Sequence, residues 1–391
     1  MAVLAHGTPV KISRMGALNL SISVLEWAAD HIGRSLESLA DEIVAPSKRK
    51  NFLEGKLTVT QAEKLANKAH IPFGFLFLDA PPPMEETAIP DLRQTPDHAP
   101  LSHDFYEVLD DVVRKQQWLA DYLREAGAGR PAFVGRFKAK GHVHPETVAQ
   151  DIRRTLALTD EMRARCSSHA VFFSLLSERV EEAGVLVFKS GIVKSSSKRG
   201  LSVSEFRGFA LADALVPVIF INGKDAEAAW IFTLAHELAH IWLGESGVSD
   251  IPADTGKSSD GVESSCNRIA AELLTPKAPF LEAWGKMTEP KFDGLSRMFK
   301  VSRLVIARRA LDLGKISPAN YRQVAAASEK RKTSNGGNPF NTIPVRNSKR
   351  LTRALVSSAM GGHTLLLDAA SLLNVSPETV MKLGKKMAQR G

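Results

Sequence analysis

The chain has 391 residues, 44% of them hydrophobic and 24% charged, an ordinary globular composition spread over more chain than one small core needs. No apolar run comes near the ~20 residues of a membrane helix, the opening MAVLAHGTPVKIS lacks a basic-then-apolar signal pattern, and Cys166 and Cys266 form no CxxC pair, so a reducing cytoplasm is expected and a disulfide framework is not. The net charge of +8 is confined to one end: residues 321–391 hold 12 Lys and Arg against 3 Asp and Glu, whereas the first 320 hold 39 against 40, an asymmetry that points to a polyanion, nucleic acid foremost.

Residues 1–20 read as an arm or short strand. From Ser21, the residues Val24, Leu25, Ala28, Ala29 and Ile32 recur at helical spacing, and Gly33 marks the stop. Ser35 caps a second helix with Leu36, Leu39, Ala40 and Ile43 on its apolar face. After Ala45-Pro46, a third helix near 47–53 carries Lys48, Arg49 and Lys50, and a fourth spans 58–69. Short helices with a tight turn between the second and third make a helix-turn-helix, whose basic third helix would lie in a major groove of DNA. IPFGFLFL and three prolines close this unit at residue 83. The Pro-rich, acidic stretch 84–101, with IPDLRQTPD in it, reads as an extended linker.

A helix resumes over about 102–126, and 145–185 continues helical. The period then shortens. GVLVFKS (184–190), FRGFALA (206–212) and PVIFIN (217–222) are β-type runs separated by Gly, Ser and Asp. A helix over 225–243 follows, then a polar loop over 244–261, then a helix ESSCNRIAAELLTP that Pro276 ends, and further helices to 328. KRKTSNGGNP is a basic linker into a C-terminal helical domain, 329–391. There Ala369, Ala370, the turn Leu373–Ser376 and Thr379-Val380 have helix-turn-helix spacing, followed by Lys382, Lys385 and Lys386. The expected fold is therefore α+β and mostly helical: an N-terminal helix-turn-helix bundle (1–83), a linker (84–101), a domain with a small sheet (102–328) and the basic C-terminal helices.

The chemistry is concentrated in FTLAHELAHIWL, residues 232–243. On a helix, His236 and His240 stack one turn apart and can share a zinc ion, with Glu237 beside the metal as a general base. This is the HExxH pattern of metallopeptidases. A hydrolytic site needs a third protein ligand. Glu263 is favoured, since it opens a helix whose apolar face (Ile269, Ala270, Leu273) can pack on the first; Asp254, Asp260 and Glu272 compete, Glu272 as a solvent-facing residue. Cys266 reads as a packed helix residue. Asn267, Arg268 and His169 are candidates for stabilising a tetrahedral intermediate, and a strand ahead of the metal helix is expected to hold an extended peptide by β-addition.

These blocks, FRGFALAD, PVIFINGKD, IFTLAHELAH and ESSCNRIAAELLTP in that order, with FLEGK, IPFGFLFLDAPPP and IPDLR ahead of them, resemble the ImmA/IrrE metallo-endopeptidases fused to an N-terminal Xre-type helix-turn-helix. The resemblance implies a zincin-like domain in which His236, His240 and Glu263 bind Zn2+ and Glu237 is catalytic. Cys266 stands where many relatives have Ala, and 244–261 matches no family block. It also implies regulatory proteolysis: cleavage of a transcriptional repressor in a stress, phage or mobile-element response, by a protein that binds DNA through Lys48, Arg49 and Lys50, or Lys382, Lys385 and Lys386. The second reading is a repressor or antitoxin of a toxin–antitoxin-like pair, with a zinc domain that senses or only supports the fold. The expected partners are DNA and a protein substrate or toxin, without a membrane, and a homodimer would match a two-fold operator.

Overall fold

The computed structural model describes residues 17–82 apart from 31, 33 and 70, together with 89–93, 101–138, 144–249, 261–288, 291–328 and 339–389. The expected helix stop at Gly33, the competing ligands Asp254 and Asp260, and most of both linkers lie outside the described residues. The described residues divide into two compact units, one within Met1–Thr87 and Pro100–Tyr106, the other within Ala88–Ala99 and Glu107–Gly391. No helix among them is long and apolar enough to cross a membrane.

The first unit holds β1 (Ala17–Asn19), α1 (Ile22–Asp30), α2 (Leu36–Ile43), α3 (Arg49–Leu53), β2 (Lys56–Thr58) and α4 (Val59–Ala69). Its core is the apolar face the spacing predicts: Val24, Leu25, Leu39, Phe52 and Leu65 are buried together. Ser35 caps α2 by accepting from the Ser38 N–H, and Thr58 and Gln61 cap α4 reciprocally. The start of the fourth helix differs from expectation: residues 56–58 form β2, antiparallel to β1 with Leu18 opposite Leu57. The basic third helix has five residues, entered through a 3-10 turn over Pro46–Lys48. IPFGFLFL is a 3-10 turn, Phe73–Phe77, that buries Leu76.

The second unit is mostly helical around one small sheet. It contains most of α5 (His103–Glu125), then α6 (Pro145–Thr155), α7 (Asp160–Ala164), α8 (His169–Glu182), β3 (Leu186–Ser190), β4 (Gly208–Leu211), β5 (Val218–Asn222), α9 (Glu227–Leu243) and β6 (Gly247–Ser249). There follow α10 (Val262–Leu274), α11 (Lys277–Lys286), α12 (Lys291–Phe299), α13 (Arg303–Asp312), α14 (Pro318–Ser328), α15 (Pro339–Arg346), α16 (Lys349–Met360), α17 (Leu366–Leu373) and α18 (Pro377–Ala388). The sheet runs β3-β5-β4-β6, with β3 and β5 parallel and the other pairs antiparallel. β6 is a correction to the sequence reading, which gave 244–261 wholly to a loop. Three residues with a single apolar side chain, Val248, have no readable period; their pairing with β4 makes them a strand.

α9 is apolar on nearly every side because the sheet covers one face and α6, α8 and α10 cover the others. Gly244 ends it in the left-handed region, φ +73°, and the N–H groups of Gly244 and Glu245 return to the Ile241 and His240 carbonyls. That 6→1 and 5→2 closure is the Schellman motif. At the same end Trp242 stacks on Phe133 at 4.2 Å between ring centroids, and its Nε1–H donates to Asp151, which also pairs with Arg136.

The C-terminal helices pack on this unit through buried polar groups. Asn347 accepts from the Lys115 Nζ on α5, and Asn374, left-handed at φ +54°, donates to Asp111, the carboxylate that also neutralises Lys115. The Ser348 hydroxyl, at the start of α16, donates to Glu181, whose carboxyl is raised by burial. α15 and α16 lie against β3.

Candidate metal centre

Four side chains converge between α9 and α10. His236 and His240 project from consecutive turns of α9, and their Nε2 atoms are 3.1 Å apart. Glu263, in the first turn of α10, brings Oε2 to 3.1 Å from His236 Nε2 and Oε1 to 2.9 Å from His240 Nε2. Four-coordinate zinc with bonds of about 2.0–2.1 Å holds its ligand atoms about 3.3 Å apart, so these separations are close to one triangular face of that tetrahedron. Two histidines and one carboxylate are also a donor set that hydrolytic zinc uses, with a fourth position left for water. The residues fit the ion. All three are buried, and among the described residues they form the one group of His, Cys, Asp or Glu with donor atoms close enough to share a metal.

The surroundings set the donors. His236 Nδ1 lies 3.0 Å from the Asn267 side-chain oxygen Oδ1, which assigns the proton to Nδ1 and leaves the Nε2 lone pair facing the cluster. Sequence reading offers Asn267 as a stabiliser of the reacting carbonyl; here its side chain meets His236. Its position four residues after Glu263, on the same face of α10, is the signal that could have shown this. Arg268 is turned to Ser264, and the His169 Nε2–H donates to the Val301 carbonyl.

Glu237 lies beside the three donors with both carboxylate oxygens buried and, among the described residues, in no ion pair. Burial pushes its carboxyl up to about 8; His236 and the Ser249 hydroxyl oppose the rise and the Glu263 carboxylate adds to it. Glu263 behaves oppositely: although burial raises it, the two histidines hold it at about 2. An isolated buried carboxylate is costly, and a cation among its neighbours relieves that cost.

The sheet sits directly on this carboxylate. A Cβ at Gly208 of β4 would meet Glu237 Oε1 at 2.9 Å, Thr233 Cγ2 at 2.7 Å and the Phe220 carbonyl at 2.9 Å. Ser249 of β6 is fully buried with Oγ 3.5 Å from His240 Nε2. Neither residue stood out in the sequence, since a glycine in a strand and a serine in a polar stretch are common. Glu272 departs from expectation. It is buried, ion-paired to Arg309 and capping Lys277 N–H, because α13 packs where solvent was expected. Cys266 is fully buried in the apolar core, where burial raises its thiol far above its ordinary value.

The six basic residues expected to meet DNA are all placed on helices or the turn leading into one. Lys48 and Lys50 are exposed, and Arg49 pairs with Asp41 at 2.6 Å. On α18, Lys382 pairs with Glu378 at 2.7 Å, Lys385 is exposed and Lys386 is half-buried.

Fold and site together define an α+β protein with a centre of the zinc metallopeptidase type. Residues 180–311, from the end of α8 into α13 and including all four site residues, match the Peptidase M78 family, described as IrrE N-terminal-like domain. Residues 347–386, which take in α16, α17 and most of α18, match a domain of unknown function, DUF8813. Neither match includes the N-terminal unit. The comparisons with curated proteins and with solved structures found no match.

Proposed function

We propose that this chain is a zinc-dependent endopeptidase and a DNA-binding regulator of the cytoplasm, which cleaves a protein substrate, a transcriptional repressor, in a stress, phage or mobile-element response. The observation that carries the reading is the placement of Glu237: a carboxylate in no ion pair among the described residues, buried beside three donors that fit a zinc ion. A purely structural zinc site has no use for it. His236, His240 and Glu263 would hold the ion. When bound, zinc supplies a Lewis acid that polarises the scissile carbonyl and acidifies the attacking water. Glu237 takes the proton from that water and delivers it to the leaving amine nitrogen, and Asn267 keeps the His236 ring in register. Glu237→Gln keeps the shape of the side chain and removes the base. With zinc still bound, it should abolish cleavage of a repressor co-expressed in the cell; unchanged cleavage and phenotype would sink the peptidase reading.

The exposed lysines on α18 and in the turn before α3 support DNA as the partner, with a homodimer matching a two-fold operator. They also support the second reading, a repressor or antitoxin whose partner is a toxin. Salt-dependent binding to the DNA upstream of the protein's own gene tests both. Removing Lys48, Arg49 and Lys50, or Lys382, Lys385 and Lys386, should weaken binding and reduce its salt slope. No effect from either set counts against DNA binding.

A further inference from the structure

The sequence led us to expect that a strand ahead of the metal helix would receive an extended peptide. The edge strand on that side, β3, is covered by α15 and α16. The opposite edge belongs to β6, which follows the helix, and it leads to the metal donors: Ser249 Oγ is 3.5 Å from His240 Nε2. That edge already holds a peptide, and the peptide is the chain itself. Residues 89–93, IPDLR, lie along it in parallel, with Asp91 opposite Val248. The Leu92 N–H donates to the Val248 carbonyl at 3.1 Å, and the Val248 N–H donates to the Pro90 carbonyl at 3.0 Å.

The side chains are received as well as the backbone. Leu92 occupies the space above Gly247, where a Cβ would come within 2.2 Å of its Cδ1. Arg93 turns inward with its side chain only 2% exposed, pairs with both oxygens of Asp91 and donates to the Glu205 carbonyl at 3.2 Å. Pro90 and Asp91, by contrast, are exposed. Main-chain pairing along an unpaired edge, with side-chain seats that choose the sequence, is how extended peptides are recognised by β-addition.

We infer that the outer edge of β6 is the docking edge for the peptide substrate, and that Ile89–Arg93 is its resident occupant, which a substrate must displace. This rests on the proposed peptidase reading for the identity of the incoming peptide, a segment with a leucine-sized aliphatic residue next to a basic one. It adds that a segment of the second unit itself, Ile89–Arg93, guards the site. The occupant is short and joined to β6 by two backbone hydrogen bonds, so a longer peptide offering the same pairing can replace it.

The test uses the full-length Glu237→Gln chain, which cannot cut the probe, and a fluorescein-labelled peptide of sequence IPDLRQT. Binding is followed by anisotropy with and without the further changes Leu92→Asp and Arg93→Ala, which weaken the resident segment while leaving β6 unaltered. The loosened chain should bind the probe at least tenfold more tightly than the strapped one, and a probe with Asp in place of its leucine should not bind. Hydrogen–deuterium exchange across Gly247–Ser249 should be slow in the strapped chain, faster in the loosened one, and slow again with probe. If the double change lowers the circular dichroism signal, Arg93→Ala alone is used, with the same expected order. Equal binding to the strapped and loosened chains, or no binding to a folded chain whose Val248 amide exchanges freely, overturns the inference. Because binding needs no turnover, its failure alongside Glu237-dependent cleavage removes only the strap. Successful binding without any such cleavage removes only the peptidase reading.

Discussion

His236 Nδ1 and the Asn267 side-chain oxygen Oδ1 lie 3.0 Å apart, bridging the helix that carries His236 and His240 and the helix that carries Glu263. The contact fixes both the ring and its tautomer. Asn267→Ala should therefore weaken zinc binding by about 10–100-fold, the usual effect of removing a partner behind a histidine ligand. Competition with a chromophoric chelator measures it. Asn267→Asp, which still accepts from Nδ1–H, should recover most of the affinity; a loss as large as that of Asn267→Ala would mean that the side chain serves packing alone.

Zinc should also stabilise the fold. The donors come from two helices packed together, so an ion bound only by the folded chain raises stability by about 2.7 kcal/mol at a hundred times its dissociation constant. Thermal unfolding with EDTA and after restoring zinc reads this directly. Glu263→Gln should abolish the difference, whereas Glu237→Gln should keep it.

Gly208 lies against the Glu237 carboxylate, with no room for a methyl group among Glu237, Thr233 and the Phe220 carbonyl. Gly208→Ala should cost about 1–3 kcal/mol through overpacking. It should also reduce cleavage by more than the loss of folded protein explains. Urea titration together with activity per folded molecule separates the two effects.

Asp111 and Lys115 form a buried pair that Asn347 and Asn374 complete from the C-terminal helices. Asp111→Ala leaves the lysine charge without its counter-ion and should destabilise the second unit by about 3–5 kcal/mol. The double change Asp111→Leu with Lys115→Met should recover much of that loss. If the single change is silent in denaturant titration, the pair is not what secures these helices.

Lys189 on β3 sits 3.5 Å from the centre of the Trp230 ring and 4.8 Å from that of Phe173. Burial lowers its ammonium to about 8, against the pull of Glu227. The folded value is below the unfolded one of 10.5, so the unfolded chain binds the proton more readily. The cost of burying the charge is present in full below pH 8 and is relieved as pH rises from there towards 10.5. The difference in Tm between wild type and Lys189→Met should therefore shrink over that range. A constant difference would contradict the lowered value.

How much of this was legible follows from the range of each interaction. Helical spacing alone placed His236 and His240 one turn apart with Glu237 between them, because residues four apart on a helix share a face whatever surrounds it. The apolar faces of α1 and α2 and the core strand β5 were readable in the same way. Glu263 was chosen partly by its helix and partly by resemblance, and the structure brings it to both histidines.

Other features were decided only when distant segments met. Glu272 looks solvent-facing from its own helix, and only α13, bringing Arg309, makes it a buried ion pair. The contact of Asn267 with His236 exists only because α10 packs on α9. β6 has too few residues to carry a period, so its pairing with β4 and its occupied outer edge could not be read locally. What the sequence determined by itself was the HExxH motif on its helix, since that depends on backbone geometry within one turn. What the tertiary structure decided was the company of that motif: Asn267 behind His236, Gly208 against Glu237, and the β6 edge paired with Ile89–Arg93.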